Sequence, residues 1–257
     1  MDGNFIKFLG TAGARYVVAR QMRSSGGILI CLGGRKILID PGPGSLVRCA
    51  LSRPPIDASK LDGLVLTHSH IDHSNDVNIM IDAMTFGGIE KRGVLFAPGE
   101  CIQGANPVLF NYLRQCIGDI VLLEPERQYS LGEITFSTSI RHRHPVETYG
   151  LLFRHNGLTI SFLADTKYFE ELKECYRGSD ILVLNVVRDT PFEDDTIMHL
   201  SFEDARELVG ALKPRKAILT HFGKRMLAAK PALLAKALAR ETGVEVYAAY
   251  DGMRFPL

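Results

Sequence analysis

The stretch Leu64 to Asp76, LVLTHSHIDHSND, sets three histidines and two aspartates at the end of an apolar run. Such side chains are poor core material, because each must find a polar partner once buried. His68 and His70 are two residues apart, and an extended segment puts alternate side chains on one side, so both imidazoles can face one ion. Asp72 and His73 follow where the chain turns into the next helix, and they can reach a second ion. Imidazole and carboxylate without thiolate form a donor set suited to zinc, with manganese and iron as alternatives. The competing reading is a polar loop capping the helix, with Ser69 and Asn75 as further capping groups. Four ligand-type residues in the six positions His68 to His73 argue against it.

These residues need strand ends to hold them. Short apolar runs predict strands at 4–9, 27–32, 36–40, 62–67, 93–97, 119–123, 133–139, 148–154, 157–163, 180–186, 215–220, 244–248 and 252–255. Amphipathic periodicity predicts helices at 44–51, 73–85, 107–116, 168–175, 201–212 and 229–241. Gly33-Gly34 and Asn156-Gly157 are primed-turn dipeptides between apolar runs, so each marks a hairpin. Ser201 with Asp204 three residues on resembles a capping box. Strands arriving as adjacent hairpins make the sheets mixed, and the helices need outer faces to cover. The expected fold is therefore α/β: two mixed sheets packed together with outer helices, a four-layer αββα sandwich. No low-complexity linker or charge block divides the chain, and one domain over 1–257 is expected.

An internal echo fits this arrangement. KILID (36–40) precedes LVLTH (64–68), and SFLAD (161–165) precedes AILTH (217–221). Taken at face value, both halves deliver Asp and His to corresponding strand ends at one edge of a pseudo-symmetric sandwich.

A net charge of +1 advertises neither a nucleic-acid nor a membrane surface. Five cysteines, an odd number with no CxxC, argue against a disulfide framework and for a reducing compartment. No apolar segment reaches membrane-spanning length and no leader-like segment opens the chain, so a cytoplasmic location is expected.

HxHxDH at a strand-to-helix junction is the signature of the metallo-β-lactamase superfamily, and the chain resembles that superfamily elsewhere too. LIDPGP (38–43) resembles its first motif. HPVETYGLLF, from His144, resembles the third motif of the ribonuclease Z-like branch, in which a His precedes a Gly by six positions. FLADT (162–166) resembles the bridging-aspartate motif, and MHLSFEDA (198–205), ILTHFG (218–223) and YDGMRFPL resemble the last motifs and the closing strand. The resemblance runs from about residue 5 to the C-terminus. It implies an αββα sandwich with a dinuclear metal site at one edge. Residue by residue, it implies that His68, His70 and His144 hold one metal, that Asp72, His73 and His221 hold the other, and that Asp165 bridges them. His142 is the competing imidazole to His144, and the distance to Gly150 favours His144. Asp165 could instead cap a helix, and His221 could be a buried hydrogen-bonding histidine. Asp40 is implied to orient a ligand histidine. Asp72 and His199 are the candidate catalytic groups, because His199 matches a histidine near the scissile phosphate in related phosphodiesterases.

Two divalent ions sharing a water lower its pKa toward neutrality and supply hydroxide for in-line attack on phosphorus. A protonated His199 would donate to the leaving oxygen or stabilise the charge on phosphorus. The resemblance thus implies a dinuclear-metal phosphodiesterase acting on a small or cyclic phosphate ester or a short nucleic acid. Ribonuclease Z itself fits less well. Gly150 to Asp165 holds a tight hairpin with no room for a tRNA-gripping arm, DPGPGS lacks the usual Glu of the first motif, Asn185 stands where a Glu is usual, and near-zero net charge suits tRNA poorly. Among the branch's arm-less members is a cyclic phosphodiesterase of phosphonate breakdown, whose cysteine-rich zinc site this chain lacks. Lactone, thioester or β-lactam hydrolysis on the same metals is the alternative chemistry, and a non-catalytic metal-binding scaffold is a third. Arg15, Arg20 and Arg23, in GTAGARYVVARQMRSSGG, could bind phosphate oxygens bidentately or lie on a solvated loop. The resemblance also implies a homodimer.

Overall fold

Apolar runs rich in Ile, Leu, Val and Phe, too short for helices, pair into sheets because each strand must share its backbone hydrogen bonds with a neighbour. The structure is a computed structural model that describes residues 3–194 and 196–257; residues 1, 2 and 195 lie outside it. The first half of the chain builds β1 (Phe5–Phe8), β2 (Ile28–Leu32), β3 (Arg35–Ile39), β4 (Gly63–Val65), β5 (Arg92–Pro98) and β6 (Ile117–Leu123). The second half builds β7 (Gln128–Leu131), β8 (Ile134–Arg141), β9 (Tyr149–His155), β10 (Leu158–Leu163), β11 (Ile181–Asn185), β12 (Lys216–Thr220) and β13 (Glu245–Ala248). The closing strand β14 (Arg254–Pro256) returns to the first sheet beside β1. Among the described residues the two sheets have seven strands each, ordered β14-β1-β2-β3-β4-β5-β6 and β13-β12-β11-β10-β9-β8-β7.

Strand alternation decides which side chains go where. In β4, Val65 faces the sister sheet and Leu64 faces the helices. The inner layer packs Ile6, Phe8, Ile37 and Val65 against Phe136, Phe153, Phe162 and Ile218. Each such burial contributes about 1.5–3 kcal/mol. Outside the first sheet, Leu38, Leu64 and Leu95 meet Val77, Met80, Ile81 and Met84 of α4 (Val77–Met84). Outside the second, Leu182, Leu184 and Leu219 meet Ala205, Leu208 and Val209 of α7 (Phe202–Leu212) and Leu238 of α9 (Pro231–Thr242). This is the expected four-layer αββα sandwich. Among the described residues no helix is long and apolar enough to cross a membrane.

Both hairpin turns form as expected. Gly33, Gly34, Asn156 and Gly157 all take positive φ, as a type I′ turn requires. The β9–β10 connection is two residues long, so no arm is inserted there. The capping box also forms: Ser201 Oγ accepts from the Asp204 N–H at 3.2 Å, and Asp204 Oδ2 accepts from the Ser201 N–H at 2.8 Å.

Three expectations are corrected. No helix occupies 107–116; that segment holds only a short turn at Asn111–Leu113. The Asn78 side chain bonds the Val108 carbonyl and the Phe110 N–H, both at 2.8 Å, and so pins the backbone extended where the periodicity favours a helix. The helix expected at 73–85 is two pieces, α3 (Ile71–Ser74) and α4, because the Asp76 N–H donates to the Pro41 carbonyl and leaves the helix. β7 was not expected; it is a four-residue edge strand whose inward residues are the buried Tyr129 and the half-buried Leu131, too short for an alternation signal. The short helices α1 (Ala14–Ala19), α5 (Gly99–Gln103) and α8 (Lys224–Ala228) also escaped the periodicity, whereas α2 (Ser45–Leu51) and α6 (Glu171–Cys175) lie within expected helices.

The echo is half right. In each sheet three antiparallel pairings are followed by three parallel ones, which equates β3 with β10, β4 with β11 and β5 with β12. Asp40 after β3 and Asp165 after β10 therefore occupy equivalent strand ends. His68 follows β4 and His221 follows β12, which are not equivalent, so the shared Thr-His is a local likeness only.

Candidate metal centre

The site lies beyond the carboxyl ends of β3, β4, β10 and β12, where parallel strands open a crevice. His68 and His70 lie on the segment between β4 and α3, His70 with extended backbone, and Asp72 and His73 enter α3. His144 comes from the β8–β9 loop and His199 from the segment between β11 and α7. One ligand atom of each member lies within 4.8 Å of the others in His68–His70–His144, in Asp72–His73–His221, in Asp165–His199–His221 and in Asp40–His68–His73. The structure thus brings together all seven residues expected to hold metal, with Asp40 and His199 beside them.

Asp165 is the hub. Its carboxylate lies 3.8 Å from His68 Nε2, 3.3 Å from His73 Nε2, 3.5 Å from His221 Nδ1 and 3.5 Å from His199 Nδ1. Asn185 Nδ2 donates to Asp165 Oδ1 at 2.9 Å and holds the carboxylate in place. Sequence reading flagged Asn185 only as a departure; its position on β11, between β10 and β12, makes it the anchor of Asp165.

The imidazoles are oriented by partners behind them. His144 Nδ1 donates to the Met198 carbonyl at 2.9 Å, which leaves Nε2 as the lone pair facing His70 Nδ1 at 3.0 Å. Asp40 Oδ1 accepts the Thr67 N–H, and Asp40 Oδ2 accepts the Thr67 hydroxyl and His73 Nδ1, at 2.7, 2.7 and 2.9 Å. The Thr67 hydroxyl, spent as a donor on Asp40, accepts from His68 Nδ1 at 3.0 Å. Asp40 therefore orients two histidines, His73 directly and His68 through Thr67.

His142 is turned away from this cluster. Its Nε2 lies 2.8 Å from the Tyr176 hydroxyl and its Nδ1 lies 3.2 Å from the Asp165 carbonyl. A Cβ at Gly150 would overlap the Tyr176 hydroxyl, which is why the residue six after His144 must be glycine. Gly13 and Gly42 were missed by sequence reasoning: a Cβ at either would run into the backbone of His221 or Asp72, respectively. Asp40 and His221 themselves take left-handed φ of 50° and 61°, a cost that clusters where side chains must be aimed.

A cation fits these donors. His68 Nε2 and His221 Nδ1 are buried with no hydrogen-bond partner. Two nitrogens held about 2.0–2.1 Å from one tetrahedral ion stand roughly 3.3 Å apart; His70 with His144, and His73 with His221, approach this at 3.0 Å. Charge points the same way. Burial alone would lower His73, but Asp72, Asp165 and Asp40 outweigh it and raise the imidazole well above its usual range, so these carboxylates supply negative charge that a bound cation would meet in place of the His73 proton. Burial would raise Asp165, yet His221, His199 and His73 keep it well below the carboxylate range. Burial pushes His68 well below its usual value and His144 down to about 4, so both are neutral, as a ligand must be.

The centre opens into a cleft of about 570 Å³ walled by Arg15, Ile71, Phe192, Ile197, Met198 and His199. Of the three arginines expected near substrate, only Arg15 reaches this wall. Arg20 lies over the Tyr16 ring, and Arg23 turns to the Thr11 hydroxyl.

The sequence profile described as "Beta-lactamase superfamily domain" matches residues 35–222. The chain belongs to the metallo-β-lactamase superfamily. A protein of Methanocaldococcus jannaschii, described as uncharacterized, is 30% identical over 98% of this chain and 94% of its own length. A ribonuclease Z of Methanosarcina mazei is 22% identical over 86% and 88%. Among solved structures, the metallo-β-lactamase fold protein YhfI of Bacillus subtilis superposes with a TM-score of 0.80 at 19% identity, covering 99% of both chains. A diphosphatase of the PhnP family superposes with a TM-score of 0.72 at 22% identity, covering 99% of this chain and 98% of its own.

Proposed function

We propose that this superfamily member is a dinuclear metal-dependent hydrolase of phosphoric esters that acts on a small or cyclic phosphodiester. The observation carrying the reading is Asp165, placed between two ligand groups at the floor of a cleft whose wall bears Arg15 and His199. In this reading His68, His70 and His144 hold one divalent ion, Asp72, His73 and His221 hold the other, and Asp165 is shared. Such a pair, zinc by preference with manganese or iron as alternatives, supplies a nucleophile at neutral pH and positive charge opposite the transition-state oxygens.

The remaining work falls to the chain's own residues. The Arg15 guanidinium can clamp two phosphate oxygens at once. His199 stands on the cleft wall with Nδ1 3.5 Å from the Asp165 carboxylate, and burial lowers its imidazole from the usual value; from there its ring can hydrogen-bond a substrate oxygen. Asp40 and Thr67 keep the lone pairs of His68 and His73 aimed inward. Two relatives support chemistry at phosphorus, since ribonuclease Z and diphosphatase are both names for such cleavage. The two-residue β9–β10 turn favours a small substrate over tRNA.

Metal analysis followed by a screen of the zinc- and manganese-loaded protein tests this. Hydrolysis of bis-p-nitrophenyl phosphate and of cyclic phosphodiesters is expected, with lactones and precursor tRNA inert. Turnover of lactones without any phosphodiester would refute the reading. An Asp165→Ala variant that kept two metals and full activity would refute the ligand assignment.

A further inference from the structure

Strand β1 with the residue after it reads Phe5-Ile6-Lys7-Phe8-Leu9, and all five side chains are buried, Lys7 being only 4% exposed. A lysine in a fully buried strand must be neutralised or paired. Lys7 has no carboxylate within ion-pair distance among the described residues; its one hydrogen bond runs to the Arg53 carbonyl at 3.4 Å. The fold surrounds it with more positive charge. Arg254 is its direct cross-strand partner on β14, where like charges repel. Arg48 and Arg53, from the end of α2 and just beyond it, line the same pocket of about 200 Å³ together with Lys7 and Ser52. Arg48 spends its Nε on the Leu9 carbonyl at 3.0 Å, and Arg254 lies over the Phe5 ring at 4.1 Å. Among the described residues neither arginine meets a carboxylate. Burial, with Arg254 and Arg48 nearby, pulls the Lys7 ammonium below its ordinary range.

We propose that this pocket is an anion site for a phosphate group, held by Lys7 and by Arg48 and Arg53, which line it, with Arg254 adding positive charge from the neighbouring strand. It lies on the helix-covered face of the first sheet, and none of its residues lines the metal cleft. A phosphate dianion supplies the charge that this cluster lacks, and guanidinium forks match its oxygens bidentately. The site is independent of the chemistry proposed for the metal centre.

The test is thermal unfolding and calorimetric titration of the whole protein, with and without EDTA, at constant ionic strength. The probes are inorganic phosphate and, separately, glycerol 3-phosphate, which distinguish free phosphate from an esterified ligand. Saturable binding of either is expected, with Tm raised by about 3–5 °C at about ten times Kd. The rise should survive EDTA, vanish in Lys7→Met and persist in Lys7→Arg. Lys7→Met without phosphate should be at least as stable as the parent, since it removes a buried like-charge contact. No shift in the parent protein would overturn the proposal. So would a shift that disappears with EDTA and persists in Lys7→Met, which would place the phosphate on the metal centre.

Discussion

Asp40→Asn separates the aim of the ligands from the strength of the fold. The carboxylate of Asp40 can only accept, and it takes three hydrogen bonds, from the Thr67 N–H, the Thr67 hydroxyl and His73 Nδ1. In the variant, the amide oxygen keeps the Thr67 N–H, and an NH₂ replaces Oδ2. The reverse amide rotamer would set a donor against the Thr67 N–H. The Thr67 hydroxyl must then accept from the amide and turn its own hydrogen toward His68 Nδ1. That forces the His68 proton onto Nε2, the atom now buried without a partner. His68 is neutral because it is buried, so it would present an N–H where a lone pair is needed. Asn adopts the left-handed φ of 50° as readily as Asp, so the backbone is not strained anew. Loss of such an orienting group typically costs 10–100-fold in metal affinity, about 1.4–2.8 kcal/mol. Long-range proton–nitrogen NMR of the metal-free variant reads the His68 tautomer, and chelator competition reads the affinity. If His68 keeps its proton on Nδ1 and both metals bind as in the parent protein, the Asp40–Thr67–His68 relay is wrong.

Three further outcomes follow from the same geometry. Gly150→Ala should cost about 1–3 kcal/mol or more in urea unfolding, because its Cβ overlaps the Tyr176 hydroxyl that binds His142; an unchanged midpoint would contradict the packing. His142 is pushed down to about 4 by burial, against 6.5 for a free histidine, so as pH falls the unfolded chain binds its proton first. Its contribution is complete above about pH 6.5 and is lost between about 6.5 and 4, up to about 3 kcal/mol, and His142→Gln should flatten that part of the metal-free stability profile. Arg15→Ala should leave Tm unchanged while lowering kcat/KM for a phosphodiester by about 10–100-fold, the worth of a charged hydrogen-bonded contact; unchanged kcat/KM would remove Arg15 from the substrate site.

Much of the centre was legible because its signals are local. HxHxDH places two imidazoles on one side of an extended segment and two ligands on the next helix, and that follows from backbone geometry over six residues. The two primed turns and the Ser201–Asp204 cap were legible for the same reason: each is a contact within a few residues. The errors came where a distant group outvoted local preference. Periodicity favoured a helix at 107–116, and the Asn78 side chain, about thirty residues earlier, overrode it with two hydrogen bonds. Three arginines looked alike in one loop, yet only Arg15 faces the cleft, because Arg20 and Arg23 are drawn to Tyr16 and Thr11.

By itself the sequence determined the layer architecture, the types of donor and the absence of an arm, since alternation, residue chemistry and turn length are properties of short stretches of chain. Only the tertiary structure decided that Asn185 anchors Asp165, that Gly13 and Gly42 must lack side chains, that His142 faces Tyr176, and that Lys7 is ringed by arginines. Each depends on which strands become neighbours. That is set by how the two sheets bury their inner faces against each other, and no local spacing encodes it.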